Sequence, residues 1–179
     1  FCGVVHRLDR PVGGLVIFAK TSKALSRLNE MLRDGKIHKT YWAITRNRPP
    51  KEGDMLTHYI TTRQQNNKSY ASENPVDGAL KSQLVYRHIS SSDRYHLVEV
   101  ELLTGRKHQI RVQMSAIGCP IKGDLKYGDK RSNPDGCISL QAHRLRFKHP
   151  VSGKEIDITA PVPDDNLWKA LASNITLIK

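Results

Sequence analysis

The chain alternates apolar and polar residues with a period of two over several separate stretches. Leu80, Ser82, Leu84 and Tyr86 form one run, and His96, Val98, Val100 and Leu102 form a second, with Glu99 and Glu101 on its opposite face. A third covers Ser139 to Lys148, where Leu145 and Phe147 point inward and Arg144, Arg146 and Lys148 share the other face as a basic row. Strand side chains project alternately to the two faces of a sheet, so each run predicts a strand buried on one side. Lys39 to Thr45, with Tyr41, Ala43 and Thr45 on one face, and Lys154 to Thr159 add two more. Most links between these strands are too short for regular strand–helix crossovers. The expected class is therefore α+β, with a mixed, mainly antiparallel sheet and flanking helices.

Helix signals are fewer. Thr21 or Ser22 can cap a helix whose apolar stripe is Leu25, Leu28, Met31 and Leu32, and Gly35 stops it. A short helix is expected from about His108 to Ile117, ended by Gly118, and a last one is capped by Asp164 or Asp165 and carries Trp168 and Leu171. Leu15 to Ala19 is apolar at every position, which predicts a central strand. The Gln-, Asn-, Lys- and Ser-rich stretch from Arg63 to Asn74 reads as an exposed loop. At 179 residues the chain fits one domain, 1–179, large enough for its own core.

Charge narrows the partner. Lysine and arginine number 29 against 17 acidic residues, a net charge of +12, which favours a polyanion: nucleic acid first, an anionic membrane second. No apolar run approaches the roughly 20 residues of a membrane span. The three cysteines, Cys2, Cys119 and Cys137, lack Cys-x-x-Cys spacing, which argues against a disulfide framework or a structural zinc site. The eight histidines do not pair with acidic residues at metal-binding spacing, so no metal is expected.

Two clusters can carry chemistry. In His6-Arg7-Leu8-Asp9-Arg10-Pro11 an aspartate lies between arginines. Cationic neighbours favour its charged form, and an anion there can serve as nucleophile or general base. The same residues also make a good turn. In Thr104-Gly105-Arg106-Lys107-His108-Gln109-Ile110-Arg111 a glycine precedes a near-continuous row of groups able to contact phosphate or base, beside a helix start. The competing reading is a solvated helix start. Cys119 to Gly128 is motif-like, but its spacing assigns it no reaction.

These blocks resemble the motifs of the RluA-type RNA pseudouridine synthases. His6-Arg7-Leu8-Asp9, followed by Gly14 and an aliphatic segment, is similar to the family's catalytic motif. Lys39-Thr40-Tyr41-Trp42-Ala43 resembles the second motif, Thr104 to Met114 continued by Gly118 to Gly128 the third, and Arg144 to Pro150 with Gly153 and Ala160-Pro161-Val162-Pro163 the closing segment. Val12-Gly13-Gly14 stands where the family often has Thr-Ser-Gly.

The resemblance implies a sheet with a central catalytic cleft, and isomerisation of uridine in RNA to pseudouridine without cofactor or metal. It gives Asp9 the catalytic carboxylate, Tyr41 the role of stacking on the target base with proton transfer as a further candidate role, and Arg106 the pairing with Asp9. His6, Arg7, Arg10, Lys39, Lys107, His108, Gln109, Arg111, Arg144 and Arg146 are the expected RNA contacts. Asp9 could attack C1′, assist deprotonation at the neighbouring carbon, or attack the uracil ring; the sequence leaves all three open. The expected setting is a cytoplasmic monomer acting on ribosomal or transfer RNA. Family members usually carry a strand before the first motif, so the chain is expected to lack that strand and any preceding RNA-binding domain. Two other readings compete: a non-catalytic RNA-binding module of the same fold, and a metal-dependent nuclease, which would need clustered carboxylates.

Overall fold

The computed structural model describes residues 1–175. Its centre is an eight-stranded sheet. In chain order the elements are β1 (Gly3–Val4), β2 (Gly13–Gly14), β3 (Phe18–Ala19), α1 (Ser22–Arg33), β4 (His38–Thr45), β5 (Gly53–Arg63), β6 (Lys68–Ser72), β7 (Leu80–Ser91), β8 (His96–Leu102), α2 (Gln109–Ala116), β9 (Leu140–Lys148), β10 (Glu155–Thr159) and α3 (Asn166–Ser173). The strand order is β10-β9-β4-β8-β7-β5-β6, antiparallel throughout, and β2 adds the parallel pairing, to β9.

The period-two runs decide the architecture. Tyr41, Ala43, Leu84, Tyr86, Val98, Val100, Leu140 and Ala142 meet Ile110 and Met114 of α2 in the main core. On the opposite face, Ile44 and Leu97 pack with Trp168 and Leu171 of α3. The cap of α3 is Asp165, whose carboxylate accepts the Leu167 and Trp168 N–H groups at 2.9 and 3.1 Å. In α1 the Thr21 hydroxyl accepts the Ala24 N–H at 3.1 Å, and Leu25 and Leu28 face a smaller core with Leu15, Ile17 and Leu145.

Two segments differ from the sequence expectations. Leu15 to Ala19 is not a central strand. Only Phe18 and Ala19 pair, with the two residues of β1, while Leu15 and Ile17 fill the space under α1. The apolar run records burial against a helix rather than position in a sheet. Arg63 to Asn74 is not a loop: β5 and β6 form a hairpin whose turn is 64–67. Its composition is polar because the pairing uses polar groups, such as Thr62 Oγ1 and buried Ser69 Oγ at 3.0 Å.

One close approach fixes the segment that carries Asp9. Gly14 has φ +114° and lies against the backbone of Ala142, where a Cβ would fall 2.6 Å from the Ala142 nitrogen and closer still to its carbonyl oxygen. Only glycine accepts both the conformation and the contact. The Leu15 N–H then donates to Ala142 C=O at 2.9 Å.

Candidate active site

Asp9 stands between β1 and β2. Its carbonyl accepts the Val12 N–H at 2.9 Å, so the turn chemistry of Asp9-Arg10-Pro11 is realised. The turn aims the carboxylate into a cleft of about 720 Å³. Tyr41 on β4, Arg7, Lys39, Arg106 and His108 line the same cleft.

The arginine that pairs with Asp9 is Arg111, not Arg106. Arg111 Nη1 donates to Asp9 Oδ2 at 3.2 Å, while Nε and Nη2 donate to the two carboxylate oxygens of Asp124 at 2.7 and 2.9 Å. Arg111 is 5% exposed and Asp124 1% exposed, so the guanidinium is a buried bridge between two acids. It also lies over the Tyr127 ring, 4.9 Å from the centroid. Arg106 is exposed in the loop before α2, where its N–H donates to Gln109 Oε1 at 2.9 Å. The reason is the helix register. The helix begins at Gln109, which sets Arg111 in its buried first turn and leaves Arg106 outside.

The expected RNA contacts are distributed unevenly around the cleft. Gln109 is spent within the fold: its Oε1 accepts from Thr104 Oγ1 and Arg106 N, and its Nε2 donates to Gln83 C=O, at 2.8, 2.9 and 2.9 Å. Arg111 commits three of its five N–H donors to the two carboxylates. Arg144 and Arg146 lie outside the cleft, on the face of the sheet opposite Tyr41, and Arg144 forms a two-point ion pair with Asp157 across β9 and β10. Lys107 is exposed beside the cleft, with its carbonyl held by Ser69 Oγ at 2.9 Å. Arg10 borders a second groove with Asn67 and Lys126, which meets the cleft at His108 and Arg111. His6, Arg7 and Lys39 do line the cleft.

Burial tunes these groups. It pushes the Tyr41 phenol up to about 12, with the Asp9 charge adding to the shift, so the ring keeps its proton at neutral pH. Burial, with a contribution from Lys39, brings His6 down to about 4, and its neutral Nε2 accepts the Ile17 N–H at 3.3 Å. Burial also lowers Lys39, whose ammonium lies beside Gly105. His108 is held neutral chiefly by burial, against the opposing pull of Asp9. It adopts the left-handed conformation, φ 55° and ψ 22°, which costs a non-glycine residue roughly 1 kcal/mol. Among the described residues no group of three or more histidine, cysteine, aspartate or glutamate side chains has metal-binding geometry, so the carboxylate cluster of a metal-dependent nuclease is not formed there.

Asp124 and Tyr127 belong to the motif-like stretch to which spacing assigned no reaction. Asp124 precedes and Tyr127 ends one 3₁₀ turn, Leu125–Tyr127, closed by Gly128 at φ +112°. The signal that could have found them is the Gly123-Asp124-Leu125-Lys126-Tyr127-Gly128 run itself, an acid and a phenol fixed three residues apart between two glycines.

Comparison with known proteins identifies the family. Residues 1–116 match the family model described as RNA pseudouridylate synthase. The chain belongs to the RNA pseudouridylate synthase family. Among curated relatives, it is 33% identical over 184 residues to ribosomal large subunit pseudouridine synthase D of Vibrio cholerae serotype O1, covering 95% of this chain and 55% of that protein. It is 32% identical over 174 residues to tRNA pseudouridine synthase C of Pectobacterium carotovorum subsp. carotovorum, covering 87% of this chain and 46% of that one. The chain thus spans about half the length of the curated relatives it matches. The solved structure of human RNA pseudouridylate synthase domain containing 1 superposes with a TM-score of 0.78 at 22% identity, over 95% of this chain and 73% of that one, and shares the fold.

Proposed function

We propose that this protein isomerises uridine within RNA to pseudouridine, with Asp9 as the catalytic carboxylate. The observation that carries the reading is the state of that carboxylate. Arg111 occupies Oδ2, while Oδ1 has no hydrogen-bond partner among the described residues and sits in a cleft able to take an extruded nucleotide.

The reaction breaks the N1–C1′ bond of uridine and joins C5 to C1′. C5 loses a proton and N1 gains one, so atoms and electrons balance without a redox centre or group carrier. The target base must leave its stack, at a cost of a few kcal/mol. Tyr41 supplies a neutral aromatic wall for it, a contact worth roughly 1–3 kcal/mol. Arg7 and Lys39 supply positive charge beside the cleft for the phosphates on either side.

Relatives are named for ribosomal RNA and for tRNA, and we take one of these as the substrate class. Three unpaired cysteines, two of them exposed, suit a reducing compartment, and we place the enzyme in the cytoplasm as a monomer. No helix among the described residues is long and apolar enough to cross a membrane. The non-catalytic module is less well supported, because an RNA-binding surface has no use for a carboxylate aimed into its basic cleft.

Asp9→Asn tests the reading. It keeps the shape and removes the charge, so pseudouridine formation on transcripts of large-subunit ribosomal RNA and tRNA is abolished while RNA affinity is retained. Pseudouridine made by the purified variant at the parent rate defeats the assignment.

A further inference from the structure

The groups behind Asp9 form a chain that its own function does not require unless it positions the carboxylate. Ser69 N–H donates to the Tyr127 hydroxyl at 2.8 Å, and that hydroxyl lies 2.7 Å from His108 Nδ1. All three residues are buried. The other ring nitrogen, Nε2, faces Asp9 Oδ2 across 3.9 Å. With the Ser69 N–H already donating to it, the phenol can give its own proton to His108 Nδ1 at 2.7 Å, while the nearby Ser69 hydroxyl spends its hydrogen on Lys107 C=O at 2.9 Å. A neutral imidazole that accepts at Nδ1 carries its hydrogen on Nε2. That hydrogen then points at the same carboxylate oxygen that Arg111 holds.

We propose that His108 is a positioning residue for Asp9, with its tautomer set by Tyr127 so that the Nε2–H and Arg111 together grip Oδ2 and leave Oδ1 for the nucleotide. The inference rests on the pseudouridine synthase reading above. The 3.9 Å gap is longer than a hydrogen bond; across it the Nε2–H acts on Oδ2 electrostatically, and polar contacts in a free site commonly tighten in the substrate complex. The backbone supports this role. His108 is held in the left-handed conformation, and Ser69 pins the residue before it through Lys107 C=O. Tyr127 also carries the Arg111 guanidinium on its ring, so one side chain supports both groups that face Oδ2. The charged groups around the imidazole are Asp9, Arg111, Lys126 and Lys107.

Two measurements test the assignment. In the unaltered protein, the ¹⁵N shifts of the His108 ring show Nε2 protonated and Nδ1 bare at neutral pH. A ring protonated at Nδ1, or at both nitrogens, overturns the proposal without reference to activity. Kinetics on the same RNA transcripts form the second arm. His108→Asn suits the left-handed backbone but cannot reach Asp9, and lowers kcat by about ten- to a hundred-fold at unchanged KM, the scale of a misplaced catalytic group. Tyr127→Phe lowers kcat in the parent and causes no further loss in the His108→Asn background, because the tautomer it governs is gone. An equal fractional loss in both backgrounds shows a merely structural phenol and defeats the proposal. A parent protein that makes no pseudouridine fails at an earlier and separate point, the reaction itself, and takes this inference with it.

Discussion

Replacing Arg111 by lysine separates the two arginines of the loop and helix that follow β8. Arg111 makes three donor contacts to two carboxylates, at 2.7 and 2.9 Å to Asp124 and 3.2 Å to Asp9. An ammonium keeps the charge but spans one carboxylate. At least one charge-assisted bond is lost, at about 1.5–3 kcal/mol, and an acceptor left unpaired adds about 1–3 kcal/mol. Asp124 has almost no access to solvent that could replace the missing donor. The sum, about 2.5–6 kcal/mol, brackets the roughly 3–5 kcal/mol cost of breaking a buried ion pair. For a domain of this size each kcal/mol moves the melting temperature by about 2–4 °C, so Arg111→Lys melts lower by about 5–24 °C. Arg106→Lys, on an exposed loop, stays within about 0.5 kcal/mol of the parent. Urea denaturation and calorimetry of the three proteins, with pseudouridine formation measured beside them, decide the matter. Arg111→Lys unfolding within about 0.5 kcal/mol of the parent, with Arg106→Lys the damaging change, refutes the pairing of Asp9 with Arg111.

Two further outcomes follow from the electrostatics. The His6 ring takes its proton at about 4 in the folded chain, against an ordinary value of 6.5, so between these the unfolded state binds more protons and stability rises with pH. Acidification from 6.5 to 4 therefore destabilises the protein through His6, on the order of 2 kcal/mol after allowing for the solvent-facing part of the ring. His6→Gln, which keeps an acceptor for Ile17 N–H, makes the fall in melting temperature over that window shallower; an unchanged profile refutes the assignment. Arg7→Ala reduces the salt dependence of RNA binding by about one unit of log–log slope, while Arg144→Ala, already paired with Asp157, leaves it unchanged; the reverse result moves the RNA to the other face of the sheet.

The elements legible in the sequence are those whose burial follows one period. β8 has the bounds that its alternation predicts, and β4 carries Tyr41 and Ala43 inward as its pattern requires. β5 escaped because its inward positions are Leu56, His58 and Ile60, and a buried histidine interrupts the apolar code. β6 escaped because its buried member is Ser69, satisfied by side-chain and backbone partners rather than by packing. At the site, Asp9 and Tyr41 were readable as residue types in motifs. The choice between Arg106 and Arg111 was not, since both lie in one motif and only the start of α2 distinguishes them. The contribution of Asp124 was invisible for a related reason: an acid matched to a base thirteen residues earlier leaves no periodic trace.

The short strands at the start of the chain give the site an unequal foundation. Tyr41 rides on β4, paired along its length to both neighbours, whereas Asp9 hangs between strands of two residues each. Native proteins open in pieces, and the piece with fewest ladder bonds opens first. Here that piece is the foldon bearing the acid. On the function proposed for Asp9, its detachment removes the catalytic carboxylate while the remaining sheet stays intact, so the working fraction of molecules is governed by a smaller free-energy gap than the one that a denaturation curve reports.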